Sequence, residues 1–288
     1  MSTVPVVHAA DAADGPASPE AREQRLVEWL RARGTVLVAF SGGVDSAYLA
    51  ALAARVLGDR ALAVTALSES YPAEHRAMAE RVATECGVRH EFVRTGELDL
   101  PAYRANGPDR CYHCKHELYA HLRALAASRG CAVVVDGSNA DDRGDHRPGR
   151  QAALEFGVES PLDLLGFDKA AIRDRSRAMG LPTWDAPASA CLSSRVPYHQ
   201  EVTPEKLRAI EAAEAAVRAL GFRVCRVRHH GDVARLELGR DEMARAIEPD
   251  VAARLAAGVK AAGFAFVALD LQGYRLGSLN EPLRLRPV

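Results

Sequence analysis

The apolar positions of the chain follow two rhythms. Residues 35–39, 60–67, 89–93 and 132–137 are short runs of aliphatic and β-branched residues, with the length and composition of buried strands. Before and between them lie longer stretches of helix-forming residues: 19–32, with Leu26, Trp29 and Leu30 on one face; 47–57, stopped by Gly58; 73–86, stopped by Gly87; and 111–129. This alternation predicts an α/β fold with a doubly wound parallel sheet. A further helix is expected over 169–179, closed by Gly180 and Pro182. The pattern changes after Thr203. Pro204 opens a helix to Leu220, and 222–229 and 233–238 alternate as a hairpin joined through His230-Gly231-Asp232. A helix over 241–262 and a strand over 264–271 complete a small α+β C-terminal domain. The expected division is a disordered tail 1–18, an α/β domain 19–182, an irregular loop and linker 183–202, and the α+β domain 203–288.

Composition narrows the classes. Of the 288 residues 48% are apolar, enough for a sizeable core, and 37 basic residues stand against 38 acidic ones. No global basic field argues for nucleic acid as partner. No apolar run approaches the roughly 20 residues of a membrane span. The N-terminal stretch lacks the basic and apolar regions of a signal peptide, and six cysteines are too few for a disulfide scaffold at this length. The expectation is a cytoplasmic, reduced protein.

The densest chemistry lies between the first strand and its helix, in Ser41-Gly42-Gly43-Val44-Asp45-Ser46. A strand, a tight Gly-Gly turn and a helix N-terminus place free amides and the helix dipole toward a phosphate. No Gly-Lys-Ser/Thr follows, so this is not the common nucleotide loop, and Gly-x-Gly-x-x-Gly is absent. The string resembles the PP-loop of the ATP pyrophosphatase superfamily, whose members transfer AMP from ATP and release pyrophosphate. At the end of its own strand, 136–142 carries the adjacent acids Asp141 and Asp142, which could hold Mg²⁺ beside the phosphates or form a solvated Asx-type turn; Asp136 and Asp141 are the candidates for contact with the cofactor.

Other candidates are spread along the chain. His146, Arg147 and Arg150 surround Pro148-Gly149, and Cys191-Leu192-Ser193-Ser194-Arg195 lies in an irregular stretch that reads as a functional loop. Arg226 and Arg228 share a strand face, suited to a phosphate or to an exposed salt-bridged surface. Cys86, Cys131 and Cys225 read as packing residues. Cys111-Tyr112-His113-Cys114 opens a helix; alone such a pair could be redox-active, bind zinc with a further ligand such as His113 or His116, or do neither, and with Cys191 three thiolates could instead hold a [4Fe–4S] cluster and leave one iron open.

Together, Ser41–Ser46, 136–142, Arg147-Pro148-Gly149-Arg150, 190–198, Leu269-Asp270-Leu271-Gln272-Gly273-Tyr274-Arg275 and Gly277-Ser278-Leu279-Asn280 resemble the LarE family, from about Glu23 to the C-terminus. The resemblance implies a homohexameric, ATP-dependent sulfur transferase. Its small-molecule substrate would be pyridinium biscarboxylic acid mononucleotide, on the route to the nickel-pincer nucleotide of lactate racemase. It implies Cys191 as sulfur donor, losing its own sulfur to become dehydroalanine. Alternatively Cys111, Cys114 and Cys191 hold a cluster that delivers added sulfide. Asp45, Ser194 and Arg195 are expected beside the reaction, with Arg195 favouring the thiolate, and Arg226 and Arg228 on the substrate phosphate. A tRNA thiolase or an amide-forming synthetase is the rival enzyme class, and a non-catalytic nucleotide-binding protein the rival outside it. Neither an RNA-binding domain nor a glutaminase domain is evident in the sequence.

Overall fold

The computed structural model describes residues 18–144, 148–187, 190–275 and 277–281. Helix α1 (Pro19–Arg33) is capped by the Ser18 hydroxyl, and Gly34 ends it with positive φ. Strand β1 (Val36–Ala39), helix α2 (Val44–Leu57), strand β2 (Ala61–Leu67), helix α3 (Ala73–Glu85) and strand β3 (His90–Arg94) follow. A helical turn α4 (Pro101–Arg104) leads to the long α5 (Arg110–Arg129) and then β4 (Val133–Val135). Short helices α6 (Gly149–Glu155) and α7 (Pro161–Leu164) precede α8 (Lys169–Ala178).

These strands form one parallel sheet in the order β3-β2-β1-β4. Its two faces show the two-residue period of β1. Val36 and Val38 pack with α1, α2 and α8, whereas Leu37 and Ala39 pack with Tyr119, Leu122 and Ala126 of α5. Burial on both faces explains the unbroken apolar strand runs. Strand β1 is flanked by β2 and β4, so the crossovers diverge at its carboxyl end, where such sheets bind ligands.

The second sheet has order β5-β6-β7, from β5 (Cys225–His230), β6 (Val233–Leu238) and β7 (Phe266–Leu269). β5 and β6 pair antiparallel across Gly231, and β7 joins β6 in parallel. Helix α9 (Pro204–Ala219) packs Leu207, Ile210, Ala213 and Val217 into the core with Val227, Leu236 and Leu238. Leu192, Val196 and Val202 from the connecting stretch share that core, as do Leu98 and Tyr103 from the first sheet's side.

Two expectations need correcting. Residues 241–262 do not form one helix but α10 (Met243–Ala246) and α11 (Pro249–Ala261). Glu248 is extended and Pro249 starts a new helix, because proline has no amide to continue the old one. The loop and linker over 183–202, expected to be irregular, contains a 3₁₀ turn at Leu192–Arg195. The tail expectation, apart from Ser18, and the candidates His146 and Arg147 lie outside the described residues.

Candidate active site

The phosphate loop is closed by its own hydroxyls. Ser41 Oγ and Ser46 Oγ lie 3.0 Å apart, Ser41 N donates to Ser46 Oγ at 3.1 Å, and Ser46 Oγ donates to Gly43 O at 3.2 Å. Gly42 has φ +71°, and a β-carbon there would stand 2.7 Å from the His75 carbonyl oxygen. Glycine is therefore required twice over, by conformation and by the approach of α3. Helix α2 begins at Val44 with Gly43 as N-cap and no side-chain cap, so its first amides face the loop for an anion. The end of β4 closes the other side. A β-carbon on Gly137 would be 2.8 Å from Ser46 N.

The carboxylates around this loop divide by what holds them. Asp45 carries both oxygens on Lys169 Nζ, at 2.6 and 2.5 Å. Asp141 accepts the Lys169 main-chain amide at 2.8 Å. Asp136 is 5% exposed and accepts from Tyr119 Oη (2.7 Å), Ser138 N (3.1 Å), Ser138 Oγ (3.0 Å) and Ser160 Oγ (2.7 Å). Each oxygen of Asp136 thus already has two donors. Its place is a tie between α5, β4 and α7, which uses the lone pairs that Mg²⁺ would need.

The cysteine loop hangs from several buried anchors. Leu192 N donates to Ser70 O at 2.9 Å, and Tyr103 Oη lies 2.6 Å from Ser193 Oγ. Asn106, itself at positive φ, donates to the carbonyls of Val196, Pro197 and Gln200 at 3.2, 2.8 and 3.0 Å. Arg110 donates to Ser193 O at 2.9 Å and to Asn106 Oδ1. Arg195 is 2% exposed and forms a two-pronged pair with Glu214 at 2.8 and 3.1 Å. Its Nη1 reaches the carbonyls of Ala190 and Cys191 at 2.8 and 2.9 Å and Ser194 Oγ at 3.0 Å. The Arg195 charge is offset by Glu214 and its hydrogen bonds go to carbonyls of the loop. It holds the loop's shape, a different task from the thiolate stabilisation expected of it. Ser194 Oγ is turned back onto Cys191 O at 2.8 Å.

Two cations face the thiols, Arg110 and Lys115; Arg110 is 3% exposed, and against the lowering effect of burial Cys191 and Cys111 raise its pKa. Burial pushes the Cys111 thiol up, Arg110 pulls it down, and Cys191 adds to the rise. Cys111 is exposed as a residue, but surrounding chain crowds its sulfur. Cys114 is raised by burial, then by Glu97, Cys191 and Cys111. The three cysteines therefore lie within electrostatic reach of one another. Among the described residues no three His, Cys, Asp or Glu side chains are set to hold a single metal ion.

Arg226 and Arg228 are buried, not on an exposed face. Arg228 donates to Glu237 Oε2 (2.8 Å), Ser278 Oγ (2.7 Å) and Ser194 O (2.7 Å), so it joins β5 to the cysteine loop. Arg226 lies 5.3 Å from the Tyr274 ring centre, and burial and the neighbouring Arg195 lower its pKa. His75 of α3 faces the same group. Burial, Arg195 and Arg226 push its pKa down to about 4.

Sequence reasoning missed Lys169, Glu214, Arg110, Asn106, Tyr103 and His75. Glu214 carried the clearest signal, as an acid on the apolar stripe Leu207, Ile210, Val217 of α9. Asn106-Gly107 carried the weaker signal of a turn dipeptide.

Known proteins place this geometry. The asparagine synthase family model matches residues 24–142, the segment containing the phosphate loop. The chain is 42% identical over 264 residues to an uncharacterized protein of Synechocystis sp., covering 92% of this chain and 98% of that one. It is 36% identical over 263 residues to the pyridinium-3,5-bisthiocarboxylic acid mononucleotide synthase of Lactiplantibacillus plantarum, covering 91% and 95%. A probable tRNA sulfurtransferase of Methanothermobacter thermautotrophicus is 26% identical over 199 residues, 63% of this chain and 49% of that one. With the PP-loop and the cysteine loop in place across nearly the whole length of a LarE enzyme, the chain belongs to the LarE family of ATP-using sulfur transferases.

Proposed function

We propose that the chain adenylates a carboxylate of pyridinium biscarboxylic acid mononucleotide and exchanges the activated oxygen for sulfur, in nickel-pincer nucleotide biosynthesis. One observation carries the reading. Two adjacent residues in the turn after β2 touch both loops: Ser70 O holds Leu192 N of the cysteine loop at 2.9 Å, and Tyr71 Oη donates to Ser41 O of the phosphate loop at 3.0 Å. An acyl adenylate formed at the phosphate loop lies beside the cysteines.

The residues take successive tasks. The amides of Val44, Asp45 and Ser46 receive the ATP phosphates. Mg²⁺, where bound, falls to Asp45 and Asp141, since Asp136 is saturated by four donors. A substrate carboxylate oxygen attacks the α-phosphorus, and pyrophosphate leaves with the electron pair of the broken P–O bond. A sulfur nucleophile then forms the C–S bond, and AMP leaves with the electrons of the C–O bond. Arg226 and Arg228 hold the substrate's own phosphate. The close pair of buried guanidiniums Arg195 and Arg226 supports this, as does Arg228 Nε, buried without a hydrogen-bond partner among the described residues.

Cys111, Cys114 and Cys191 would be the ligands for a [4Fe–4S] cluster. Three thiols within electrostatic reach of one another, with Arg110 favouring the thiolate at Cys111, are the donor type such a cluster takes. Its chemistry there would be to hold added sulfide for transfer. A sacrificial Cys191 is the alternative outcome. The resemblance's homohexamer is the expected assembly, and exposed Ile247 (70%), Phe266 (63%) and Leu271 (88%) offer it apolar surface.

The test is product analysis. With ATP and the dicarboxylate mononucleotide, wild-type protein should release AMP and pyrophosphate, and Asp45→Ala should abolish that release. ADP and phosphate as main products would overturn the assignment.

A further inference from the structure

Lys169 is the first residue of α8, and its backbone is fixed before its side chain begins. The N-cap Asp168 accepts Ala171 N at 2.7 Å, and Asp141 accepts the Lys169 amide at 2.8 Å. The ammonium then reaches Asp45, the second residue of α2, and bridges both carboxylate oxygens at 2.6 and 2.5 Å. Asp45 lies in the same first turn as the amides that receive phosphate. A carboxylate at that point repels a triphosphate unless a cation covers it. The ion pair is open to solvent, with side-chain exposures of 40% for Lys169 and 22% for Asp45. Pairs of that exposure are held weakly and exchange partners readily.

We propose that Lys169 is a phosphate-following residue: its ammonium covers Asp45 in the free protein and passes to the β- and γ-phosphates when ATP enters. This rests on the pyrophosphate-forming reading above. As the substrate oxygen attacks the α-phosphorus, the bond to the bridging oxygen breaks and its electron pair departs with pyrophosphate. Negative charge grows on the β-phosphate, and the ammonium stabilises it without giving up a proton. Asp45, released by the same movement, is free for the cation that accompanies ATP. The fixed backbone of Lys169 matters here. The anchor stays on Asp141 while the flexible four-carbon stem moves.

The alternative role is passive neutralisation of Asp45. A binding cycle separates the two. Calorimetric titrations of ATP, pyrophosphate and AMP would be made with the full chain as wild type, Lys169→Met, Lys169→Arg, Asp45→Asn and the Asp45→Asn/Lys169→Met double variant. Each would be run in EDTA and in Mg²⁺. Lys169→Met should weaken ATP and pyrophosphate by roughly tenfold to a hundredfold, the range of a charge-assisted hydrogen bond. AMP, which lacks the β- and γ-phosphates, should change by less than about twofold, within the scatter of a distant substitution. Lys169→Arg should recover most of the loss. The loss should persist in the Asp45→Asn background, where no charge remains to neutralise. Equal weakening of ATP and AMP, or disappearance of the loss beside Asp45→Asn, would overturn the proposal. Should Lys169→Met fail to fold, Lys169→Gln carries the same comparisons. Failure of the pyrophosphate-forming reading would show separately, as ADP production by the wild type.

Discussion

Replacing Glu214 by Gln should destabilise the protein sharply and in a pH-dependent way. Glu214 and Arg195 are each 2% exposed. The carboxylate accepts from Arg195 at 2.8 and 3.1 Å, from Val227 N at 3.1 Å and from Arg218 at 3.4 Å. Without its charge, Arg195 becomes a buried cation beside a second one, Arg226. Removing one member of a buried pair costs about 3–5 kcal/mol, and Gln, which keeps the shape, should sit near the lower end. For a chain of this size that is a fall of roughly 6–12 °C in melting temperature. The sign with pH follows from the carboxyl itself. Burial alone would raise its pKa, but Arg195 and the hydrogen bonds hold it below the ordinary 4.5. A lowered folded pKa gives stability that is fully present above that value and lost as pH falls through the folded one. The gap between wild type and variant should therefore narrow below about pH 4.5. Urea denaturation followed by circular dichroism at pH 7.5 and pH 4 measures it. A loss under about 1 kcal/mol at pH 7.5, the worth of an exposed pair, or a gap independent of pH would refute the clamp. The double change Arg195→Met/Glu214→Leu should recover much of the stability while still releasing the Ala190 and Cys191 carbonyls.

Further outcomes are expected elsewhere. Gly42→Ala should cost about 2–4 kcal/mol from positive φ and the 2.7 Å approach to His75 O, and should weaken ATP binding; unchanged melting and affinity would contradict the packing of the loop on α3. His75→Gln should flatten the acid dependence of melting temperature, because a folded pKa of about 4 against 6.5 gives stability present above pH 6.5 and lost as pH falls toward 4. Arg228→Lys should raise the substrate constant by roughly tenfold, with kcat less affected, since Lys cannot reproduce the three-way contact to Ser194, Glu237 and Ser278. Cys111→Ser or Cys114→Ser should lose iron from protein prepared anaerobically while ATP binding is retained, as read by iron assay and calorimetry.

The α/β unit was legible because its information is local. β1, Gly42 and the start of α2 each carry their conformational preference in a few residues, and buried strands read as apolar runs. The break at Glu248–Pro249 was missed although Pro249 marks it, because the helical composition on both sides read as one helix over 241–262. The partners of the candidate residues were not legible. Lys169 meets Asp45 across 124 positions, and Arg228 meets Ser194 across 34. Such pairs are decided by how the sheets and helices stack, which residue spacing does not encode. Asp136 shows the cost. Its type and its place at a strand end suggested a cofactor contact, yet four donors from three separate segments had already claimed it. Arg195 is the same lesson on a helix: its charge looked free until Glu214 of α9 was seen to face it.

Mass spectrometry of substrate and protein together, after one anaerobic turnover with ATP and sulfide, tests the central claim most directly. The expected result is a mononucleotide in which a carboxylate oxygen has been replaced by sulfur, with one AMP and one pyrophosphate formed for each exchange. Cys191 should be intact and iron should be present on the protein. Unmodified substrate beside consumed ATP would contradict sulfur transfer itself. A thiocarboxylate product formed with Cys191 converted to dehydroalanine, on protein free of iron, would keep the transfer and contradict the cluster.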